Sequence, residues 1–201
     1  MKREHTPRRF DHCLELEARA TRIQEFSATV MPGLLQTPSY MRALFRKGHP
    51  GASTKEIDSL VGARLGRQEV LRSDTPPDAW SIIGEAALRQ AVGGAGVMRE
   101  QLAALLPLAE TRHTTIQVVA FKAGACTLMS GTLILLTLPD NSTTVYQEGP
   151  RNGEIFDDRE TVMQRVREYD LMKASALPPQ ESWALIKATM ETYEPCESPR
   201  T

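Results

Sequence analysis

Hydrophobic and polar positions follow two patterns that divide the chain near residue 76. Before it, apolar residues recur every three or four positions, as on one face of an amphipathic helix. After it, short apolar runs of strand length alternate with turn residues, and two more helical patterns close the chain. The pattern predicts an α+β fold. Its single domain would cover 10–193, with a helical part (10–75), a strand-rich part (76–156) and closing helices (157–193), between disordered tails at 1–9 and 194–201.

The helical part begins with a predicted helix over 10–26, whose apolar stripe is formed by Cys13, Leu16, Ala20 and Ile23. The stretch "VMPGLLQTPSYMRAL" (30–44) then breaks the chain at Pro32-Gly33 and restarts it as a helix, with Thr37 as N-cap and Pro38 at the first position. We expect these two helices to form a hairpin turned at Pro32-Gly33. After the loop "GHPGAS" (48–53), a third helix is predicted over 54–73.

The strand-rich part contains five candidate strands, "AWSIIGEAAL", "TTIQVVAF", "GTLILLTL", "STTVYQEG" and "GEIFD". A helix is predicted after the first of them, and Asp140-Asn141 predicts a hairpin turn between the third and the fourth. Two closing helices follow, the first capped near Asp157 or Asp158. These elements indicate a mainly antiparallel sheet of four to five strands, covered on one side by helices. They leave the strand order open.

Composition narrows the class of protein. The chain has a net charge of -1 and no apolar run of the roughly 20 residues that a membrane helix needs. Its start lacks the apolar segment of a secretory signal, so we expect a cytoplasmic protein with no membrane association. Scattered cysteines and histidines predict no metal site, and the absence of a nucleotide motif predicts no cofactor. The basic excess of the helical part is too dilute to predict nucleic-acid binding by this chain alone.

Several charged or polar residues interrupt faces that should be apolar, and each would be costly to bury alone. They are Glu17, Arg64, Gln68, Glu85 and Glu148. In one interpretation they form an internal structural network, for example an ion pair of Glu17 with Arg64. In the other they line a ligand pocket, whose walls would be Leu34, Leu35, Tyr40 and Trp80.

Five segments resemble one family: "LELEARATRIQEFSATVMPGLLQTPSYMRAL", "ARLGRQEVL", "EAALRQAVGG" with "MREQLAALLPLAE", "IQVVAFKAGA" and "VYQEG". They are similar to the DUF5753 domain, the C-terminal part of actinobacterial Xre-type helix-turn-helix regulators of the WhiJ and Scr1 antitoxin-like kind. Such regulators carry a DNA-binding domain before this region and are often paired with a small acidic DUF397-type partner. The resemblance implies an effector half without its DNA reader, or alternatively a truncated regulator.

The motif positions carried over by this resemblance are Glu17, Gln36, Tyr40, Arg64, Arg67, Gln68, Glu85, Arg89 and Glu148. They overlap the anomalous polar residues and favour a shared pocket. One segment departs from the family pattern, because "VVAFKAGAC" has Ala120 in place of a proline and Cys126 in place of a histidine. This loop is expected to differ from that of the regulators.

Two hypotheses for function follow from these observations. The first is a non-enzymatic regulatory module that binds a small apolar molecule or a small acidic partner protein, with a homodimer possible. Its ligand-binding residues would be Gln36, Tyr40, Arg64, Gln68, Glu85, Glu148 and Trp80. The alternative is a cofactor-independent cyclase or isomerase of a natural-product pathway, using the same cavity. Glu17 or Glu85, with a pKa raised by burial, would then be the catalytic acid.

Overall fold

The computed structural model describes residues 8–125, 127–129, 131–148 and 153–193, and it confirms the α+β class. Its centre is a six-stranded mixed sheet with the order β3-β2-β1-β4-β5-β6. The strands are β1 (Arg22–Ser27), β2 (Asp78–Gly84), β3 (Thr114–Val119), β4 (Thr132–Thr137), β5 (Thr143–Glu148) and β6 (Gly153–Phe156). β1 pairs in parallel with β2 and antiparallel with β4. The sheet thus has one strand more than the largest number predicted.

Seven α-helices belong to the described residues: α1 (Arg8–Glu17), α2 (Pro38–Gly48), α3 (Thr54–Gln68), α4 (Glu85–Arg89), α5 (Ala95–Leu105), α6 (Arg159–Ser175) and α7 (Pro179–Glu191). The predicted N-caps Thr37 and Asp158 are confirmed, because each side chain accepts a hydrogen bond from a backbone N–H of the first turn. None of these helices has the length and apolar character needed to cross a membrane. Residues 1–7, 194–201 and Cys126 lie outside the described residues.

The first predicted helix was wrong beyond Glu17, where α1 ends, because residues 22–27 form the strand β1. β1 lies in the middle of the sheet, and its two faces bury Ile23 and Phe26 in different clusters. The stripe Cys13, Leu16, Ala20 and Ile23 is nevertheless real, since all four pack together although the chain changes from helix to strand between them. The turn at Pro32-Gly33 therefore joins β1 to α2, and not two helices.

Helices cover both faces of the sheet, which corrects the predicted single covered side. On one face, Phe26, Ile82 and Val145 pack with Tyr169 and Met172 of α6. On the other, Ile83 and Val118 pack with residues of α5 and α7. α1 covers the β1 and β4 part of that second face, beside the turn that leads to α2. The second face carries the candidate site.

The hairpin of β4 and β5 is confirmed, with Thr137 opposite Thr143. Asn141 has a φ of 64°, a conformation that asparagine tolerates better than most residues. The Asp140 carboxylate accepts hydrogen bonds from the Ser142 N–H at 2.9 Å and from its hydroxyl at 2.6 Å. This local hydrogen bonding explains why the turn was readable from sequence.

Candidate functional site

The segment that begins the site is the turn at 31–37, whose backbone is held by buried side chains. The Met31 N–H donates to the Tyr40 hydroxyl at 3.1 Å, and the Gln36 amide donates to the Met31 carbonyl at 2.7 Å. Tyr40 is fully buried, and burial raises the pKa of its hydroxyl. The side chains of Tyr40 and Gln36 therefore hold the backbone of this turn in place by hydrogen bonds.

Two further glutamines hold the same turn from neighbouring helices. The Gln68 amide, on α3, donates to the Gly33 carbonyl at 3.0 Å and to the Gln36 carbonyl at 2.8 Å. Gln101, on α5, donates to the Leu35 carbonyl at 2.7 Å and accepts from the Thr37 N–H at 2.7 Å. Because buried backbone groups must be paired, these side chains fix the turn in one conformation.

α3 directs two arginines towards the turn, one helical turn apart. Arg64 donates from Nη1 to the Gln36 Oε1 at 2.7 Å, and its guanidinium lies 4.5 Å from the centre of the Phe45 ring. No ion pair joins it to a carboxylate among the residues that the structure describes. Arg64 is therefore positioned by a neutral amide and an aromatic ring, with its charge uncompensated by direct contact.

Arg67 has a direct counter-charge. Its Nε donates to Glu17 Oε1, and its Nη2 donates to Glu17 Oε2 at 2.6 Å, a bidentate pair in which Glu17 is 1% exposed. The Glu17 carboxylate outweighs the effect of burial and raises the pKa of Arg67. The predicted partner of Glu17 was Arg64, so the internal ion pair exists but with the other arginine.

A cavity of about 420 Å³ lies between this turn, α3 and the sheet. We call it the Glu25 cavity. Its apolar lining includes Val30, Met31, Leu44, Ile134 and Tyr146. Its polar lining comprises Glu25, Ser27, Thr29, Gln36, Arg64, Arg67, Thr132 and Glu148. The size falls within the range of small-molecule sites, whereas the polar share is larger than a purely apolar ligand would need.

Two buried polar side chains on β1 distinguish this cavity. Glu25 is 3% exposed, and no group of the described residues hydrogen-bonds or ion-pairs with its carboxylate. Ser27, two positions along the same face, is 1% exposed, and its Oγ has no hydrogen-bond partner. Native proteins rarely leave such groups unsatisfied, so each of them calls for a hydrogen-bond partner in the cavity. Neither residue was among the predicted site residues, because Glu25 was placed in the helix predicted over 10–26 and Ser27 directly after it, so the strand β1 was not recognised.

The protonation of Glu25 follows from its surroundings. Burial raises the pKa of this carboxyl group to about 7, against a lowering influence of Arg67 and Arg64. The negative charges of Glu17 and Glu148 add to the upward shift. Burial also lowers the pKa of Arg64, to about 10, which leaves its guanidinium charged at neutral pH. Near pH 7 the cavity therefore holds a cation and a carboxyl group close to its midpoint.

The structure brings together only part of the predicted ligand-binding set. Gln36, Arg64 and Glu148 line the Glu25 cavity, while Tyr40 and Gln68 support its wall from behind. The other two predicted ligand-binding residues, Trp80 and Glu85, lie outside this cavity.

Trp80 lies on the opposite face of the sheet, where its Nε1 donates to Gln117 Oε1 at 2.8 Å. Lys173 Nζ lies 3.4 Å from the centre of the Trp80 ring. Glu85 begins α4, where Oε1 accepts from Arg89 Nε at 2.6 Å and Oε2 accepts from the Phe121 N–H at 2.7 Å. Both residues therefore have structural partners away from the cavity.

Two other concavities are larger but less specific. A groove of about 850 Å³, which we call the proline-rich groove, lies beyond the Glu17–Arg67 pair and includes Pro76, Pro77 and Pro139 in its lining. A cleft of about 560 Å³ beside Glu85 includes Ala120 and Phe121. Neither lining contains an unpartnered buried side chain among the described residues, so the Glu25 cavity is the stronger candidate. Among the described residues, no three side chains of the types that bind metals lie close enough together to hold a metal ion.

The protein is thus an α+β domain with a polar cavity between one face of its sheet and the helices α2 and α3. A family model described as "Domain of unknown function (DUF5753)" matches residues 10–188, and the chain belongs to this family. Neither the curated proteins nor the solved structures contain a significant match to the chain.

Proposed function

We propose that this protein is a ligand-binding regulatory module that takes a small molecule in the Glu25 cavity. The observation that carries the proposal is a pair of buried side chains on β1: the Ser27 hydroxyl has no hydrogen-bond partner, and the Glu25 carboxyl has none within the described residues. Desolvating such groups without partners costs free energy, so a bound molecule that supplies partners would be strongly favoured. The segments that resemble regulators support the regulatory part of the proposal.

The walls of the cavity suit a binding role. Side chains of Tyr40, Gln68 and Gln101 fix the turn before any ligand arrives, so little ordering cost remains to be met on binding. α3 contributes Arg64 and Arg67 to the lining and also packs on α2. Occupancy of the cavity would therefore act on the α2–α3 pair, which offers a route to a partner surface.

Affinity capture from a host extract tests the proposal. Purified protein is incubated with the extract, and retained small molecules are identified by native mass spectrometry. We expect one retained compound, which also raises the melting temperature. Val30→Trp, which fills the Glu25 cavity, should abolish retention. Val70→Trp is the matched control, because Val70 lines the proline-rich groove instead. Retention that survives Val30→Trp and is lost in Val70→Trp would overturn the assignment of the cavity.

A cofactor-independent isomerase or cyclase is a second candidate, favoured by one observation. A carboxyl group with a pKa near 7 inside a cavity is suited to general acid–base catalysis at neutral pH. That group is Glu25, whereas Glu17 and Glu85 are each held by an arginine. The same experiment separates the candidates, because a catalyst would return the captured compound as an isomer or with a loss of water.

A further inference from the structure

Two ionisable side chains of opposite sign face the Glu25 cavity without pairing with each other. Glu25 lies on the floor formed by the sheet, between Ser81 of β2 and Ile134 of β4 in register. Arg64 comes from α3 on the other side of the cavity. Within the described residues, neither has an ion-pair partner. The fold thus holds the Glu25 carboxyl and the Arg64 guanidinium on opposite sides of the Glu25 cavity.

The arginine is held in a fixed orientation that leaves donors available. Gln36 occupies one terminal nitrogen of Arg64, and the Gln36 amide is itself held by the Met31 carbonyl. The guanidinium stacks on Phe45. Since a guanidinium carries five N–H donors, this arrangement leaves donors for an acceptor in the cavity. A planar guanidinium in a fixed position suits a carboxylate better than a neutral oxygen.

The carboxyl group of Glu25, in contrast, is suited to a hydrogen-bond donor of the ligand. The Glu25 carboxylate and the Ser27 hydroxyl lie on the same face of β1, two positions apart, and both lack hydrogen-bond partners among the described residues. Together they offer several acceptor positions to one group. An ammonium carries three donors and one positive charge, and would satisfy both side chains while compensating the charge of Glu25.

We propose that the ligand of the Glu25 cavity is a small zwitterion of the amino-acid or dipeptide type, with its ammonium on Glu25 and Ser27 and its carboxylate on Arg64. This inference rests on the proposed function, because it assigns a chemical class to the molecule bound there. Arg64 is the better site for the carboxylate than Arg67, because the buried Glu17 carboxylate already compensates the charge of Arg67. Glu148 lies exposed at the rim, where an ionic contact is worth less than at Glu25.

Isothermal titration with the protein amino acids and glycyl dipeptides tests this inference first. The tightest binder is then compared with its C-terminal amide, which lacks the carboxylate, and its N-acetyl derivative, which lacks the ammonium. We expect each neutralisation to weaken binding at least about tenfold, as for the loss of one charge-assisted contact. Equal affinity for the parent compound and both derivatives would overturn the inference.

Two variants assign the ends of the ligand. Glu25→Gln should weaken the parent zwitterion and leave the N-acetyl derivative unaffected. Arg64→Met, which keeps the aliphatic stem, should weaken the parent and leave the amide unaffected. Glu110→Gln and Arg42→Met are the matched controls, because both residues are exposed or half-exposed away from the cavity. Unfolding curves verify that each variant is folded. Unchanged binding of the zwitterion by either cavity variant would contradict the assignment.

Failure of this inference is distinguishable from failure of the proposed function. An uncharged compound captured from extract, displaced by Val30→Trp while no zwitterion binds, would overturn the zwitterion and leave a ligand-binding module. If the extract and both panels yield no bound compound, the ligand-binding proposal itself is overturned.

Discussion

The guanidinium of Arg67 binds both carboxylate oxygens of Glu17, and this pair joins α3 to the C-terminal end of α1. It also divides two concavities, because Arg67 lines the Glu25 cavity and the proline-rich groove. One ion pair therefore both connects the first helix to the domain and forms part of the wall of the site.

Arg67→Met is expected to destabilise the protein by about 3 to 5 kcal/mol, because it leaves the buried Glu17 carboxylate without its charge partner. The double variant Glu17→Gln/Arg67→Met should recover part of this loss, since no unpaired charge remains. Urea unfolding of the wild type, both single variants and the double variant measures the coupling. A double variant no more stable than Arg67→Met would contradict the explanation.

Glu25 should make stability depend on pH. The unfolded chain releases this proton near pH 4.5, but the folded protein keeps it to about pH 7. Because the folded state binds the proton more tightly, the free energy of unfolding falls as the pH rises through this window. A shift of this size corresponds to about 3 kcal/mol.

Glu25→Gln removes that dependence, so it should be more stable than the wild type at pH 8 by about 3 kcal/mol, with little difference at pH 4.5. The charged groups that face Glu25 are Arg64 and Arg67 of α3, Glu17 of α1 and Glu148 of β5. Urea unfolding of both proteins from pH 4.5 to 8 provides the comparison. Parallel stability curves would show that Glu25 ionises normally.

Gln101→Met should destabilise the protein by about 2 to 4 kcal/mol, although the two side chains are similar in size. The substitution leaves the Thr37 N–H and the Leu35 carbonyl without their buried partner. Gln164→Met, on the exposed face of α6, is the control and should change stability by less than about 0.5 kcal/mol. Chemical denaturation gives both values, and equal effects would rule out a special role for Gln101.

Gly84→Ala is expected to cost at least about 2 kcal/mol, because the new Cβ would lie 2.3 Å from the carbonyl oxygen of Ala28. Gly84 belongs to β2 and Ala28 directly follows β1, so the backbone there is held by the sheet and has little room to move. Gly62→Ala should instead stabilise the protein by about 0.5 to 1 kcal/mol, since Gly62 lies within α3 and nothing lies near its added Cβ. Melting temperatures that shift in the same direction would contradict this contrast.

Features with a local cause were predictable from sequence. Thr37 and Asp158 cap their helices through side-chain contacts within one turn, and Asp140-Asn141 forms its turn in the same way. The class of the fold followed from such elements. The strand β1 was not predictable by this route, because its Ile23 continues the helical stripe of α1 and its middle carries a glutamate. Pairing with β2 and β4 decides its conformation, and that information lies in distant segments.

The candidate site also has residues that were predictable from sequence and residues that were not. Arg64 and Glu148 were recognised as polar residues on apolar faces, Gln36 was carried over by the family resemblance, and all three line one cavity. Periodicity could not choose between Arg64 and Arg67 as the partner of Glu17, since the two are three positions apart on one helix. Glu25 and Ser27 were missed because their importance appears only when β1 is placed in the sheet.

The position of β1 in the sheet sets an order of events during synthesis. The Arg22 side chain meets Asp78 across 56 positions of the chain, whereas the Thr21 hydroxyl meets the Thr137 carbonyl across 116. One edge of β1 can therefore be paired well before the ribosome has made β4. Until then, its other edge exposes open N–H and C=O groups, which invite pairing with another nascent chain. The strand that carries Glu25 thus has one unpaired edge while the segment between β2 and β4 is being made.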